Sequence, residues 1–599
     1  MIAQVSPLRR LPTGLDVFDY QLTAEQAKRA RIGQLVTMPF KQQSLAGVII
    51  KLLETSPNPA TKTISSFLPF SLTAHQVSLA TYLANFYHLS LATTLALFVP
   101  TVAKRARLAD QPLRLEPLPF KLSPITASTS NGWLLYQNWS ALLSYLSVLL
   151  KQPIKGQTLL VCPELYQQKL IVQLLQSIGL GSQTVWLPSK VQKNNYASAW
   201  QTSQTKLFIV GGFQSLWLPF TNLQRSILIE ADNLQFHRAE QSPRIHLADI
   251  LVRWQREYQT DLLITTVSPN VALYQALESL KLPPITLRAK PQPTRTVIDM
   301  RAERQVKNFD FLSEEAKTNI ETATGPTLLY LNHHGSETLV TCQRCHWLAP
   351  CPSCDKALTF DKVTNFLRCL NCGHSLPPIR HCASCGSEQL KLSASGQKKL
   401  AREVNNLFPD KKIVIQKKGE PLSILDAQTI VIATNAITSA LYHFQHTVMV
   451  QADSDLQRPD YQATDQLRRT IFKLQQLSEN LLIQTYNPEH YVFATLDSYS
   501  EFYRQEMAFR SDFNYPPHVA SYKIIFRRAG RSTSRTKKQP ASYNEVLTYL
   551  RSELTQPDQC LTYPNQLIIR GSISDELIDK LYKKFNNKLI IEINPYQWL

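Results

Sequence analysis

The stretch CQRCHWLAPCPSCDKALTFDKVTNFLRCLNCGHSLPPIRHCASC, residues 342–385, holds eight of the chain's ten cysteines in four C-x-x-C pairs. The pairs are Cys342/Cys345, Cys351/Cys354, Cys369/Cys372 and Cys382/Cys385. Two residues between thiolates allow a tight turn that presents both sulfurs to one side of a tetrahedral metal. Each pair is thus half of a four-thiolate site, and the stretch predicts two zinc ions per chain. The gaps between pairs, 5, 14 and 9 residues, suit turns or short hairpins but not a hydrophobic core, so metal binding must supply the folding energy. Disulfides are the competing reading. No apolar signal segment opens the chain and Cys162 and Cys560 stand alone, which favours a reducing, cytoplasmic setting. An iron–sulfur cluster would draw on the same thiolates. No pair leaves a ligand position open, so the block reads as structural rather than catalytic.

Around this block lies a chain of 599 residues, enough for about four domains. Lys and Arg number 64 against 45 Asp and Glu, a formal charge of +19 that favours a polyanionic partner. The basic residues are grouped: Arg9/Arg10, Lys28/Arg29/Arg31, Lys104/Arg105/Arg107 and the run RRAGRSTSRTKK from Arg527 to Lys538. The last run lacks core-forming residues and reads as a flexible basic loop suited to phosphates. No apolar stretch is long enough to span a bilayer, and LLSYLSVLL (142–150) reads as a buried helix, so no membrane partner is expected.

Residues 1 to about 50 alternate apolar and polar, and QLVTMPF and LAGVII read as strands of a small barrel or sheet, followed by helical periodicity from Thr73 to Leu97. An α/β alternation then runs through QTLLVCP (157–163), TVWLP, KLFIVGG, SILIEAD (226–232) and DLLITTV (261–267), with helices at 139–150 and 246–258. Apolar strands separated by amphipathic helices mean a parallel sheet covered on both faces. A second such unit starts at PTLLYLN (326–332), is interrupted by the cysteines, and resumes with a helix from Gly396 to Phe408 and the strands KKIVIQ, TIVIAT, HTVMVQAD and NLLIQTY. An insertion there is cheap, because its two ends need only lie close together at the surface. The last hundred residues read as an α+β domain closing on KLIIEINP.

VFDYQL and VTMPF near the start, the cysteine block, LIQTYNPEHY, EMAFRSDFNYPPH and the final IEINP together resemble the bacterial replication-restart helicase family PriA, or primosomal protein N′. The resemblance covers nearly the whole chain. It implies a multidomain α/β architecture: a small β-rich 3′-DNA-end-binding domain (1–100), a linker (101–127) where the family's winged-helix domain is missing, and two RecA-like helicase lobes (128–300; 301–341 with 386–495). A double-zinc insertion (342–385) in the second lobe and a C-terminal α+β DNA-binding domain (496–599) complete it. It also implies interleaved zinc pairing: Cys342, Cys345, Cys382 and Cys385 on one ion, Cys351, Cys354, Cys369 and Cys372 on the other. Asp19, between Phe18 and Tyr20, takes the place of the family residue that meets the terminal 3′ nucleotide. A carboxylate there accepts from base amino groups or a free 3′ hydroxyl and so reads an end rather than a backbone. Lys41 replaces a family glycine after Pro39-Phe40, and Arg9, Arg10, Lys28 and Arg29 are candidate phosphate contacts; an exposed turn and a solvated surface are the plain alternatives.

The departures concern catalysis. A helicase needs a Gly-rich Walker A loop and a lysine that reaches the β and γ phosphates. WLLYQNWSALLSYLSVLL (133–150) stands there with neither glycine nor lysine, and Trp139, Leu142 and Leu143 add bulk. The family's Asp-Glu-Glu-His becomes Glu230-Ala231-Asp232-Asn233, a pair of carboxylates still able in principle to hold a metal. TTVSP (265–269), NHHG (332–335) and ATN (433–435) replace other helicase segments, and IFKLQQLSEN (471–480) stands for the arginine-bearing one. Arg468 and Arg469, just upstream, read as helix residues rather than arginine fingers. The expectation is a degenerate, non-enzymatic PriA-like protein with no ATP cofactor. It binds forked or branched DNA or a 3′ end, and works with primosome or replisome proteins and single-stranded-DNA-binding protein. A zinc-containing protein scaffold with incidental DNA contact is the alternative.

Overall fold

The computed structural model describes all residues except 10–15, 41, 56–61, 100–116, 124–126, 128, 189–198, 237–243, 288–292, 332–338, 346, 354–355, 362–364, 370–373, 393–396, 417–421, 423–424, 440–441, 459, 527–541, 555–559, 564–565, 586–588 and 596–599. Strands β1 (Ile2–Pro7), β2 (Phe18–Gln21), β3 (Gln34–Phe40), β4 (Gln43–Leu53) and β5 (Ser66–Ser71) form an antiparallel sheet in the order β2-β1-β4-β3-β5. A bridge between Gln21 and Thr63 curls β2 toward the far edge, over a core of Val5, Tyr20, Val36, Ile49 and Ile64. Helices α1 (Ala24–Arg29) and α2 (Ala74–Phe86) both start on a T-x-x-Q capping box, Thr23/Gln26 and Thr73/Gln76, which satisfies two otherwise orphaned amides at each end. The helical periodicity read from Thr73 to Leu97 divides at His88, whose φ of 49° is left-handed, and α3 (Leu91–Phe98) follows.

The first lobe is a seven-stranded, wholly parallel sheet. Its strands are β6 (Gly132–Tyr136), β7 (Gln157–Val161), β8 (Thr184–Leu187), β9 (Phe208–Gly211), β10 (Leu223–Leu228), β11 (Asp261–Thr266) and β12 (Pro284–Leu287), in the order β12-β6-β11-β10-β7-β9-β8. Helices α4 (Trp139–Lys151), α5 (Leu165–Ser177), α6 (Leu247–Tyr258) and α7 (Val271–Ser279) cover it. The near-continuous apolar strands are what burial on both faces demands. The run read as a strand to Asp232 ends instead at Leu228, because Glu230 adopts a left-handed φ of 46°.

The second lobe repeats the plan with six parallel strands: β13 (Thr294–Asp299), β14 (Thr327–Tyr330), β20 (Lys412–Ile415), β21 (Thr429–Ala433), β22 (Phe444–Met449) and β23 (Ser478–Thr485). Their order is β13-β23-β22-β14-β21-β20. Its helices are α8 (Met300–Gln305), α9 (Glu314–Glu321), α10 (Gln397–Leu407), α11 (Ala452–Leu456), α12 (Ala463–Gln476) and α13 (Tyr491–Ala494). The boundary expected at residue 300 moves: β13 pairs with β23, Thr294 opposite Asn480, so it belongs to the second sheet. A short alternating strand carries no sign of which sheet will supply its partner.

Between β14 and α10 rises the cysteine block. The ribbon β15 (Val340–Cys342) and β19 (Leu390–Leu392) pairs Val340 with Leu392 and so brings the ends of the insertion together. Beyond it lies a small sheet of β16 (Leu358–Asp361), β17 (Phe366–Cys369) and β18 (Ser375–Leu376). The chain closes with α14 (Tyr499–Asp512) and the antiparallel sheet of β24 (Ser521–Phe526), β25 (Cys560–Tyr563), β26 (Gln566–Arg570) and β27 (Leu589–Ile593), packed against α15 (Ser542–Glu553) and α16 (Asp575–Phe585). Helix α14, expected in the C-terminal domain, instead buries Phe502 and Tyr503 in the second lobe's core.

The N-terminal sheet and first lobe share one continuous core, in which Phe98 meets Trp217 edge to face. Polar contacts fix the join: Gln76 Nε2 donates to the Trp217 carbonyl (2.8 Å), Trp200 Nε1 to the Phe98 carbonyl (3.1 Å), and the Tyr87 hydroxyl to Asp249 Oδ2 (2.9 Å). Burial pushes the Asp249 carboxyl from 3.8 up to about 7, against the opposing effect of the Tyr87 hydrogen bond. The native state therefore keeps this proton where the unfolded chain has lost it, and stability falls as pH rises from 3.8 to about 7. Asp249→Asn removes that slope while keeping an acceptor for Tyr87. In pH-dependent thermal melting the variant should match the parent near pH 4 and exceed it above pH 7.

Candidate functional site

The same backbone hydrogen bond follows each of the four leading cysteines. The amide of each leading cysteine donates to the carbonyl five residues on: Cys342 to Trp347 (2.9 Å), Cys351 to Lys356 (2.7 Å), Cys369 to His374 (2.8 Å) and Cys382 to Ser387 (2.9 Å). The Ser353 and Ser384 amides also donate to the sulfurs of Cys351 and Cys382, both at 3.4 Å. The turn thus aims its sulfurs and satisfies its own backbone. Cys342, Cys345, Cys382 and Cys385 gather with all their sulfurs within 4.8 Å of one another, Cys342 to Cys385 at 3.7 Å and Cys345 to Cys382 at 3.6 Å. A tetrahedral site with metal–sulfur bonds of about 2.3 Å has sulfur–sulfur edges of about 3.8 Å, so this quartet fits one zinc ion. The first and fourth pairs combine, as the resemblance implies. Cys351 and Cys369 are buried in one apolar cluster with Leu358 and Leu367; Cys354 and Cys372 lie outside the described residues. The quartet is tied to the second lobe through the Cys345 carbonyl, which accepts from Arg304 Nη2 (3.2 Å) and the Tyr486 hydroxyl.

A second constellation lies where the lobes meet. Strand β6 runs into α4 through Asn138, whose side chain accepts from the Ala141 amide at 2.8 Å and so caps the helix end. Trp139 follows, buried against the rings of Tyr136 and Tyr166. This is the stretch that lacks a phosphate loop by sequence, and indole and carboxamide occupy it. Past β10, Glu230 is 1% and Asp232 2% exposed. Helix α12 of the second lobe meets both: Lys473 Nζ lies 2.8 Å from Glu230 Oε2, and Arg469 Nε contacts Asp232 Oδ2. The Tyr136 hydroxyl (3.0 Å) and Asn233 Nδ2 (3.2 Å) also donate to Glu230, and the Thr266 hydroxyl to Asp232 at 2.6 Å. Burial would raise the Glu230 carboxyl, but the charges of Lys473 and Arg469, with the Lys473 and Asn233 hydrogen bonds, outweigh it and hold the group down at about 2. Both carboxylates are committed to cations of the chain itself, so the pair does not fit a metal ion.

Arg469 and Lys473 share one face of α12 with Asp465, at i, i+4 and i+8. Asp465 accepts from the Val271 amide of the first lobe (3.1 Å) and from Arg510 of α14 (2.7 Å), and Arg510 also binds Glu506 (2.8 Å). Arg468, one residue round the helix, stays in its own lobe, bonded to the Thr495 carbonyl (3.0 Å) and lying over Phe472 and Phe502. The sequence reading missed Lys473 and the role of Arg469. Their signal was two cations at helical spacing to match two carboxylates two residues apart.

The candidate end-binding residues divide. Asp19 lies on β2 opposite Gln4, whose Nε2 donates to it at 3.1 Å, and its neighbour Phe18 meets Phe40 edge to face at 5.2 Å. Phe40 pairs with Gln43, and Gln43 accepts from the exposed Arg9 (3.3 Å); Asp19, next to Phe18 on the same strand, faces the opposite side of the sheet from it. Lys28 and Arg29 are exposed in the last turn of α1, Arg29 over Phe67 on β5, at the other end of the strand order from β2. Arg10, Lys41 and the basic run 527–538 lie outside the described residues.

Glu230→Gln strips Lys473 of its counter-charge and should cost about 3–5 kcal/mol at pH 7. Because the Glu230 carboxyl is depressed from 4.5 to about 2, its contribution is complete above the first value and lost as pH falls through the second. The gap between parent and variant in denaturant titrations should close over that window.

Residues 10–100 match the family model described as the 3'DNA-binding domain (3'BD) of PriA. Replication restart protein PriA of Bacillus subtilis is 24% identical over 409 residues, 62% of this chain and 50% of that protein. That of Borreliella burgdorferi is 23% identical over 478 residues (74% and 72%), and that of Rickettsia felis 23% over 556 residues (84% of each). The match therefore spans about half the length of the Bacillus relative. Among solved structures, the DUF1998 helicase MrfA bound to DNA covers 74% of this chain and 58% of its own at 11% identity and a TM-score of 0.32, too remote to carry an argument. The N-terminal match and the consistent relatives at 23–24% identity show that this chain is similar to the PriA proteins.

Proposed function

We propose that the chain is a DNA-binding replication-restart protein that recognises forked or branched DNA and helps reload the replication machinery without hydrolysing ATP. The observation that carries the DNA half is the Phe18-Asp19-Tyr20 strand, whose Phe18 meets Phe40, within the segment matched by a 3′DNA-binding domain. In this reading Asp19 accepts from the terminal nucleotide while Arg9, Arg10, Lys28, Arg29 and Lys41 neutralise phosphates. The parallel-sheet lobes are degenerate RecA-like lobes, the C-terminal domain, expected over 496–599 and built on the sheet from β24 onward, is a further DNA-binding domain, and primosome proteins and single-stranded-DNA-binding protein are the partners. Fluorescence anisotropy on a model fork with a free or a blocked 3′ terminus tests it. The fork with the free terminus should bind more tightly than equal-length duplex, and Asp19→Asn should abolish the preference for the free end. Equal micromolar binding to both, lost at modest salt, would instead favour a protein scaffold with incidental phosphate contact.

The ATP-free half rests on the cleft, where phosphoryl transfer would need a phosphate cradle, a bound magnesium ion and cations free to meet the transferring group. Here Asn138 and Trp139 occupy the head of α4, and Lys473 and Arg469 are spent on Glu230 and Asp232. Phosphate release at saturating single-stranded DNA should stay at background. A turnover above roughly 1 per second, within the usual enzyme range, that vanishes in Glu230→Ala/Asp232→Ala would refute this.

The same backbone bond from each of the four leading cysteines supports two zinc ions, the second on Cys351, Cys354, Cys369 and Cys372. Their chemistry is structural: they supply folding energy to a module with a minimal core. Elemental analysis should return two zinc ions per chain, and Cys351→Ser should lose one of them while both lobes stay folded. One ion in the undamaged parent would overturn the second site.

A further inference from the structure

We infer that the ion pairs Lys473–Glu230 and Arg469–Asp232 clamp the two lobes in one fixed orientation without nucleotide, so that the cleft has become a permanent interface. This goes beyond the reading above, since a chain without ATPase activity could still have lobes that swing freely. The clamp is built from three parts. The ion pairs set the register, because two cations four residues apart on α12 must meet two carboxylates fixed by the turn after β10, where Glu230 holds a left-handed φ of 46°. Aromatic contacts from α14 supply the attraction: Tyr503 stacks on Tyr274 of the first lobe at 4.0 Å and 10°, Tyr499 meets Trp133 edge to face at 5.2 Å, and the Tyr503 hydroxyl donates to the Pro269 carbonyl. Backbone-directed bonds close the remainder, Asp465 on the Val271 amide (3.1 Å) and Gln476 Nε2 on the Tyr136 carbonyl (3.3 Å).

The energetics favour a clamp rather than a hinge. Separating the lobes would rehydrate the ions, a nearly balanced exchange, but would also expose the aromatic rings, which is unfavourable. No step in this balance requires a ligand. Removing the two cations while leaving the carboxylates in place turns the closed state into one with uncompensated buried charge, and the open state then wins.

Energy transfer between dyes on genetically encoded azidophenylalanine at Lys169 (α5) and Asn405 (α10), both exposed, reads the lobe separation in the zinc-loaded full chain without touching its cysteines. The parent should give one narrow distance that magnesium and a non-hydrolysable ATP analogue leave unchanged. Arg469→Glu/Lys473→Glu should raise the open-to-closed ratio by about 100-fold or more, and adding Glu230→Lys/Asp232→Arg should restore the parental distance. Arg469→Met/Lys473→Met, which keeps the side-chain bulk, serves if the reversal fails to fold by circular dichroism and zinc content. A parent that exchanges between two distances, a shift on nucleotide addition, or a folded cation-less variant with an unmoved distance would each overturn the clamp. ATP turnover at an unmoved distance would refute the ATP-free reading and leave the clamp standing.

Discussion

Helix α12 presents Asp465, Arg469 and Lys473 along a single face, and each meets its partner on another part of the molecule. Glu230, Asp232, Asp465 and Lys473 are thereby buried, and Arg469 is left 13% exposed. Such burial is costly unless every charge finds an opposite charge and further hydrogen bonds. Glu230 meets that condition with Lys473, Tyr136 and Asn233, and Asp232 with Arg469 and Thr266. The constraint is geometric rather than adhesive. Ion pairs of this kind contribute little net stability against water, but they penalise every arrangement that leaves one partner alone. Around this fixed point the aromatic clasp of α14, the Arg510 cluster and the first lobe's core take up their places.

Arg510 extends the same logic to the end of the second lobe. Its guanidinium is 2% exposed, bonded to Asp465, Glu506 and the Pro516 carbonyl, and lies over Tyr461. Tyr461 in turn donates to the Pro595 carbonyl near the C-terminus (3.0 Å), and Arg244 of the first lobe reaches Glu592 on β27 (2.7 Å). The terminal sheet is thus held to both lobes by directional contacts and to the second lobe also by a small apolar cluster of Tyr461, Tyr515 and Ile568, while its main hydrophobic cluster is its own. The N-terminal domain shows the opposite arrangement, a continuous apolar core with the first lobe trimmed by a few hydrogen bonds. Apolar contact joins without specifying angle; polar contact specifies angle at little net gain.

The cysteine block stands apart in its source of stability. Its strands are short, and among the described residues its apolar cluster buries only Val340, Ala349, Leu358 and Leu367 beside Cys351 and Cys369, so a metal held by the cysteine quartet would add folding free energy. Its anchoring to the second lobe runs through backbone groups: the Cys345 carbonyl held by Arg304 and Tyr486, Ala357 bonded to the Gln457 carbonyl (2.7 Å), and Lys356 to that of Leu456 (2.8 Å). The module is therefore tied to that lobe at several points.

Local pattern determined most of this architecture. The C-x-x-C spacing announced the metal turns, the apolar runs separated by amphipathic helices announced two parallel sheets, and helical periodicity announced the segment that starts at Thr73, because each depends on residues within one or two turns of one another. Phe18-Asp19-Tyr20 was singled out by the family resemblance rather than by local pattern, and the absence of a glycine loop before α4 could be read directly. Tertiary structure alone decided what lies far apart in the chain. It assigned β13 to the second sheet through a partner 186 residues away, moved α14 into that lobe's core, and spent Lys473 and Arg469 on carboxylates more than 200 residues distant. A charged side chain in sequence shows only its sign; its partner is chosen by where the packed lobes leave a buried opposite charge, and that choice exists only once the sheets have formed.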